Sequence, residues 1–219
     1  FQMRSIWGMH NWPGMDVGKI GVHNGACMAA ADFFEIYISG SGGHAAIPDL
    51  TIDPIPCGAA IVQSLQSIVS RRITALEPAV VSVTIFEAGS ALNVIPGVAR
   101  LGGTARSFSP EIRKLLEESI RDITQSTAKA FDCGVEIQWQ SGYPPTVNHA
   151  DESSRAVSVA SDILGVENVI TDLPPSMGAE DFAFMLGQKP GSYIGLVRAL
   201  QKKGQCCIMT AMISMTMCL

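Results

Sequence analysis

No apolar stretch approaches the roughly 18–20 residues that a membrane-spanning helix needs, so no such span is expected. Charge is sparse. Lys, Arg, Asp and Glu make up 16% of the 219 residues and balance to −5, which leaves no basic footprint for nucleic acid. Disorder is excluded for most of the chain, because 47% of it is hydrophobic and disordered chains are poor in such residues. Internal repeats and low-complexity linkers are absent. Paired cysteines at metal spacing are missing too: Cys206-Cys207 has no second pair, so no zinc site is read there. Cys27, Cys57 and Cys133 stand far apart in apolar contexts and read as small buried hydrophobes in a reducing, cytoplasmic setting. Phe1-Gln2-Met3-Arg4 has neither the basic start nor the apolar run of a signal peptide, and reads as a chain entered partway through.

What is present is a sequence of alternating patterns. Residues 33–38, Phe-Phe-Glu-Ile-Tyr-Ile, are aromatic and β-branched, which predicts a strand. Ile55, Ala59, Val62, Leu65 and Val69 recur at helical spacing and predict the buried face of a helix over 55–70. Residues 79–87 alternate as a strand, and 98–107 form another, loosened by Gly102-Gly103. Ser109-Pro110-Glu111 predicts a capped helix start, with the helix running toward Phe131. Val135, Ile137 and Trp139 alternate with polar residues as a half-buried strand. Residues 33–140 therefore read β-α-β-β-α-β, a split βαβ unit of independent domain size. On its flanks, residues 1–28 are short and turn-rich. A helix is expected over 151–164, capped by Asp151, and a short one from Ala179 to Leu186. Neither flank could bury a core alone, so together they read as the two ends of another domain.

A few residues could carry chemistry. His10, in Gly8-Met9-His10-Asn11-Trp12-Pro13-Gly14, stands at a strand end beside a rigid turn and could offer one ring nitrogen to a metal; spacing alone favours an ordinary turn histidine, since no second ligand lies nearby. His44 follows Gly40-Ser41-Gly42-Gly43, glycines that let the backbone turn sharply. That loop also matches the dinucleotide-binding fingerprint, but Pro48, Pro54 and Pro56 delay the helix that should cradle the phosphates. Arg106 could clamp a carboxylate through its planar fork, or simply be a surface strand residue; Asn93 could be a turn residue. Glu180-Asp181 could open a helix or serve a site. His23 and His149 have no supporting neighbours and read as loop residues.

Five phrases occur in order: Gly8 to Gly14, Gly40-Ser41-Gly42-Gly43-His44-Ala45-Ala46-Ile47-Pro48, Asp53-Pro54-Ile55, Asn93-Val94-Ile95-Pro96, and Ser176-Met177-Gly178-Ala179-Glu180-Asp181-Phe182. Together, over residues 1–194, they closely resemble the metal-dependent amidohydrolases that include hippurate hydrolase, N-acyl-amino-acid amidohydrolases and the plant auxin-conjugate (IAA-amino acid) hydrolases. The resemblance implies an α/β fold with an α+β insert. A partial catalytic α/β domain would comprise residues 1–28 and 142–194. An inserted ferredoxin-like lid and dimerisation domain, 29–141, would pair with its twin in a homodimer. It also implies two divalent metal ions, Zn or Mn, and a small-molecule N-acyl amino acid or small-peptide substrate, with no nucleic acid or membrane partner. His10 would be a metal ligand. His44, reaching the partner subunit's site, would stabilise the oxyanion formed when metal-activated water attacks the amide. Asn93 and Arg106 would bind substrate, and Gly178 and Glu180 would line the metal-site rim. Asp49 departs from the family, which usually has His there.

The ends depart further. The family's first ligands, a Cys and a His, its ligating Glu and its general-base Glu lie upstream of Phe1, and its last ligand His has no counterpart in the tail. Residues 195–219 hold four Met, three Cys and no acid. They are expected to be an out-of-frame tail: one T restored after the Ile194 codon yields Leu-His-His before an acidic, aromatic run. The tail is then expected to pack poorly, and the chain to lack activity. A non-catalytic dimerisation module and a nucleotide-binding domain are the alternative readings.

Overall fold

The computed structural model describes residues 3–197. The chain divides into two compact units, one made of residues up to Ala29 and from Tyr143 onward, the other of Ala30–Gly142. In chain order the elements are β1 (Ile6–Asn11), β2 (Ile20–Val22), β3 (Gly25–Met28), β4 (Ala30–Ser39), β5 (Gly43–His44), α1 (Pro54–Arg71), β6 (Ala79–Ala88), β7 (Val94–Ile95), β8 (Val98–Ser107), α2 (Pro110–Ala130), β9 (Gly134–Ser141), β10 (Thr146–Asn148), α3 (Ala150–Leu164), β11 (Val169–Ile170), α4 (Phe182–Leu186) and β12 (Gly191–Leu196). The fold is mixed α/β. Among the described residues no helix is long and apolar enough to cross a membrane.

In the Ala30–Gly142 unit an antiparallel sheet runs in the order β6-β8-β4-β9. Strand alternation sends Phe34, Ile36 and Ile38 to one face and Phe33, Glu35 and Tyr37 to the other. The first set packs with Ile61 and Leu65 of α1 and Leu116 and Ile120 of α2 in one core. Each such side chain stabilises the unit by about 1.5–3 kcal/mol when fully buried. The helix starts follow from their caps. Asp53 Oδ1 accepts the Ile55 amide at 2.9 Å, and Ser109 Oγ accepts the Ile112 amide at 3.2 Å, each followed by proline at the first helical position.

The buried face of α1 is rotated from the expected one: Leu65 is buried and Val62 packs against the core as expected, but Ala59 is exposed. Cys57, Ile61, Leu65 and Ile68 point inward, while Ile55 and Val69 are 39% and 36% exposed. The helix carries two overlapping apolar stripes, and contact with the sheet selects the one that periodicity alone did not. β8 runs unbroken through Gly102-Gly103, and the pairing with β6 slips opposite these two glycines, at a bulge between Val83 and Ile85. A Cβ at Gly103 would collide with the Ser82 carbonyl and the Phe34 ring, so that glycine makes room. The same holds at Gly42, where a Cβ would lie 2.7 Å from the Ile95 carbonyl; its φ is not positive.

The other unit is built from both flanks. Its main sheet has the order β1-β12-β2-β11, with β1 parallel to β12 and β12 antiparallel to β2; β3 and β10 form a separate antiparallel pair. α3 covers one face through Ala156 against Val22 and Ile194, and α4 contributes Phe182 and Leu186 to a cluster with Cys27 and Tyr193. Three expectations change. The N-cap of α3 is His149, not Asp151. His149 is no loose loop residue, since its amide donates to the Gly191 carbonyl (3.0 Å) and its Nδ1 accepts the Gly191 amide (3.1 Å). α4 starts at Phe182, three residues later than expected, so Glu180 precedes the helix. Gly195 and Leu196 continue β12 in register with His10 and Asn11, so poor packing does not extend to them. The tail expected to be out of frame lies, from residue 198 on, outside the described residues.

Candidate functional site

In the unit built from the flanks, the sequence-predicted residues gather around Tyr193. β1 ends in His10 and Asn11, and the half-buried His10 ring lies 6.3 Å, centroid to centroid, from that of Tyr193 on β12. Tyr193 donates its hydroxyl to Glu180 Oε2 at 2.6 Å. The Glu180 Oε1 accepts the Asp181 amide at 3.1 Å. Gly178 donates its amide to Ser176 Oγ (3.0 Å), and its carbonyl accepts the Ala29 amide (2.9 Å), which fixes the loop leading to Glu180.

The polar groups of this cluster are tuned by burial and by each other. Burial, then the bond to Glu180, raises the Tyr193 phenol well above its ordinary value, so it remains a donor. The neighbouring Glu180 carboxylate, followed by burial, raises Asp181. Burial pushes the Cys27 thiol up to about 12, and its sulfur donates to the Thr146 carbonyl at 3.4 Å, as an inert core cysteine does.

His10 Nδ1 lies 2.7 Å from the Asn11 carbonyl. A carbonyl only accepts, so in the neutral ring Nδ1 carries the proton and Nε2 keeps its lone pair, the state a metal ligand needs. His10 thus fits one ligand position. Among the described residues no group of three or more His, Cys, Asp or Glu is placed to share a metal ion, so they do not complete a metal site.

In the Ala30–Gly142 unit, His44 and Asn93 come together. β5 pairs with β7, His44 opposite Val94, and the Ala45 amide donates to the Asn93 carbonyl at 3.0 Å. The exposed His44 accepts the Ala46 amide at Nδ1 (3.1 Å), so its neutral ring carries the proton on Nε2, a donor. The loop amides of Gly40, Ser41 and Ala45 are spent on Gly97, Ile52 and Asn93 carbonyls, which leaves them unavailable for a phosphate.

Arg106 is not brought to this pair. It sits opposite Ala31 and Val80 at the far end of β8, about 26 Å along the strand from Val98 at roughly 3.3 Å per residue. Its guanidinium lies 5.6 Å over the Phe33 ring, and burial lowers its pKa while Asp32 partly offsets that. Asp32 itself is committed to Arg113.

Two residues, Tyr193 and His23, were missed from sequence, and Asp181 reads there only as half of an acid pair that could open a helix or serve a site. Tyr193 stands in an ordinary apolar strand pattern, and nothing local marks its hydroxyl. Asp181 shares the sequence position of a helix-opening acid, but its Oδ1 is buried without a hydrogen-bond partner among the described residues. His23 is tethered, its Nδ1 donating to the Leu173 carbonyl at 2.8 Å, a contact across the chain that no spacing could reveal.

The chain matches the model of peptidase family M20/M25/M40 over residues 1–207. It is 42% identical to the N-acetylcysteine deacetylase of Bacillus subtilis (strain 168) over 190 residues, 87% of this chain and 49% of that protein. It is 35% identical to the hippurate hydrolase of Campylobacter jejuni over 193 residues, 88% of this chain and 50% of that protein. Among solved structures it resembles a dinuclear metal-binding peptidase of the M20 family from Bacillus subtilis, with a TM-score of 0.72 at 32% identity, covering 89% of this chain and 48% of that one. The chain spans about half the length of the curated relatives it matches. With five motifs in order and a fold shared with solved members, the chain belongs to peptidase family M20/M25/M40.

Proposed function

We propose that these residues form part of an amidohydrolase that cleaves the amide bond of N-acyl amino acids, hippurate-like compounds or related small peptides, with divalent metal ions, Zn or Mn, at its centre. The observation that carries this is the opposite hydrogen bonding of two imidazoles. His10 is held with a bare Nε2 suited to a metal, and His44 with a protonated Nε2 suited to an oxyanion. When bound, such a metal would supply charge stabilisation of the amide oxygen and activation of water. The chain's own part is to orient. Asn11 fixes the His10 ring, Tyr193 and the Gly178 loop hold Glu180, and the β5–β7 pair presents His44 next to Asn93.

Arg106 is the proposed carboxylate clamp, its half-buried cation resting on Phe33. Because it lies at the opposite end of β8 from the His44 loop, one substrate cannot touch both within a single copy of this unit. We therefore assign the two residues to sites of different copies in a homodimer formed through residues 29–141, an inserted ferredoxin-like lid. The strand order β6-β8-β4-β9 with two helices on one face supports that architecture. Residues 1–28 and 142–194 are proposed as parts of the catalytic domain. A cytoplasmic location is in keeping with three free, buried cysteines.

The 219 residues alone are expected to show negligible hydrolysis, since the described residues supply one ligand of a set that needs at least three. The experiment is hydrolysis of hippurate and N-acetyl amino acids, with and without added Zn or Mn, by the 219-residue chain and by a version joined to an upstream half from a relative. A metal-dependent rate only in the joined protein, lost in His10→Ala and His44→Ala, supports the assignment. A metal-dependent rate from the 219 residues by themselves would sink it.

A further inference from the structure

Cys57 and Cys133 are distant in sequence but meet in the Ala30–Gly142 unit. Cys57 is the fourth residue of α1 and 0% exposed; Cys133 lies in the turn between α2 and β9 and is 9% exposed. Both belong to the same core cluster. The Cys133 Sγ approaches the Asp53 carbonyl oxygen at 3.9 Å. Asp53 is the N-cap of α1, and in an α-helix the carbonyl of the N-cap receives the amide four residues on, which here is Cys57. The sulfur of one cysteine and the backbone of the other thus converge on one oxygen atom. Burial, and then the adjacent Cys133 thiol, push the Cys57 thiol up to about 12, as expected for two sulfurs side by side in an apolar core.

We propose that Cys57 and Cys133 are a dithiol that closes to an internal disulfide under peroxide, tying the first turn of α1 to the turn before β9. The reaction begins at Cys133, the one with solvent contact. Its sulfur takes one oxygen from hydrogen peroxide, the O–O bond breaks, and a sulfenic acid and water result. The Cys57 sulfur then attacks that sulfur; an S–S bond replaces the S–O bond and the oxygen leaves as a second water. Two thiols and one peroxide give one disulfide and two waters. Because Cys57 holds its proton tightly, closure is slow at neutral pH and faster in alkali. Cys27 is the built-in control. It too is buried and has a raised thiol, but its sulfur faces the Thr146 carbonyl rather than a cysteine.

The test uses the folded 219-residue chain. Peroxide treatment is quenched by an alkylating agent, and the protein is digested without reduction and mapped by mass spectrometry. The expected result is a Cys57 peptide joined to a Cys133 peptide, lighter than the sum of the two by two hydrogens. Cys27 is recovered as a thiol, and the crosslink forms several-fold faster in alkali than at neutral pH. Pre-unfolding in urea scatters the pairing among all the cysteines. Recovery of Cys57 and Cys133 as separate thiols or separately oxidised acids overturns the proposal. So does pairing with Cys206, Cys207 or Cys218 at comparable yield. The mapping is done on the unaltered chain, so it stands whether or not the Cys133→Ser variant, expected to lose the crosslink, folds.

Discussion

Tyr193 donates its hydroxyl proton to Glu180 across 2.6 Å from a residue only 6% exposed, and so joins β12 to the loop ahead of α4. A hydrogen bond to an ionised carboxylate contributes about 1.5–3 kcal/mol, so Tyr193→Phe should cost about that much in urea unfolding at neutral pH. The pH dependence has a definite direction. The folded-state pKa of Tyr193 is raised, so its stabilisation is fully present below the unfolded tyrosine value of about 10 and fades as pH climbs beyond it. The gap between wild type and Tyr193→Phe should be constant through neutral pH and close only in strong alkali. Equal stability at neutral pH would show that the bond contributes nothing.

The pair Asp32–Arg113 anchors the other unit. Asp32, 2% exposed, accepts from Arg113 Nε at 2.7 Å and Nη2 at 2.5 Å, and from the Gly142 amide at 3.1 Å. Removing one partner of a buried pair strands the other, at a cost of about 3–5 kcal/mol. Asp32→Ala should therefore lower the unfolding midpoint sharply. The double variant Asp32→Leu with Arg113→Met should recover part of the loss, and not all, because the Gly142 amide stays without its acceptor. A single variant as stable as wild type would place this pair effectively in solvent.

Much of this architecture could be read from residue patterns. The strands around Val81 and Ile137 announce themselves by alternation and that around Phe34 by aromatic and β-branched residues, and Ser109 marks its helix because capping is local chemistry. His10, His44 and Glu180 became candidates through motifs. What was hidden depends on contacts between distant segments. The inward stripe of α1 is chosen by the sheet, Gly103 is explained by the Phe34 ring on a neighbouring strand, and Tyr193 acquires its role from Glu180. The separation of Arg106 from His44 is likewise a matter of strand register, which no linear spacing encodes.

On the open face of the sheet, Arg100 donates to Glu35 at 2.8 Å and 3.2 Å, and Tyr37 also donates to Glu35. The Arg100 bonds first, and then the Tyr37 bond, hold the Glu35 carboxyl down to about 2. A depressed folded pKa means the contribution is present above the ordinary glutamate value and is lost as pH falls through about 2. Carbon-detected NMR titration should place the Glu35 midpoint well below those of other glutamates, and Arg100→Ala should return it toward them. A midpoint near 4.5 in the unaltered chain would contradict the bonding described.

Gly103→Ala tests whether β8 needs space rather than flexibility. The added methyl meets the Ser82 carbonyl, which is backbone and cannot swing aside, as well as the Phe34 ring. Overpacking of this kind costs about 1–3 kcal/mol. Gly14→Ala offers the contrast, because its φ of +91° is strained for alanine while nothing lies near the added carbon. Thermal unfolding of both variants should show the Gly103 change acting on the core of the Ala30–Gly142 unit, visible as altered fluorescence of Trp139, which stacks 6.3 Å from Phe34.

The two imidazoles give the most direct check on the site. The Asn11 carbonyl can only accept, so neutral His10 must carry its proton on Nδ1; the Ala46 amide can only donate, so neutral His44 must carry its proton on Nε2. Long-range proton–nitrogen NMR on the chain, at a pH where both rings are neutral, should therefore find opposite tautomers. Asn11 cannot be altered to remove its backbone carbonyl, but Ala46→Pro deletes the amide that His44 accepts and should release His44 alone. His10 found with its proton on Nε2 would have no lone pair there for a metal, and His44 found with a bare Nε2 could not donate to an oxyanion. Either result would break the division of labour proposed for the two residues, ligand and donor.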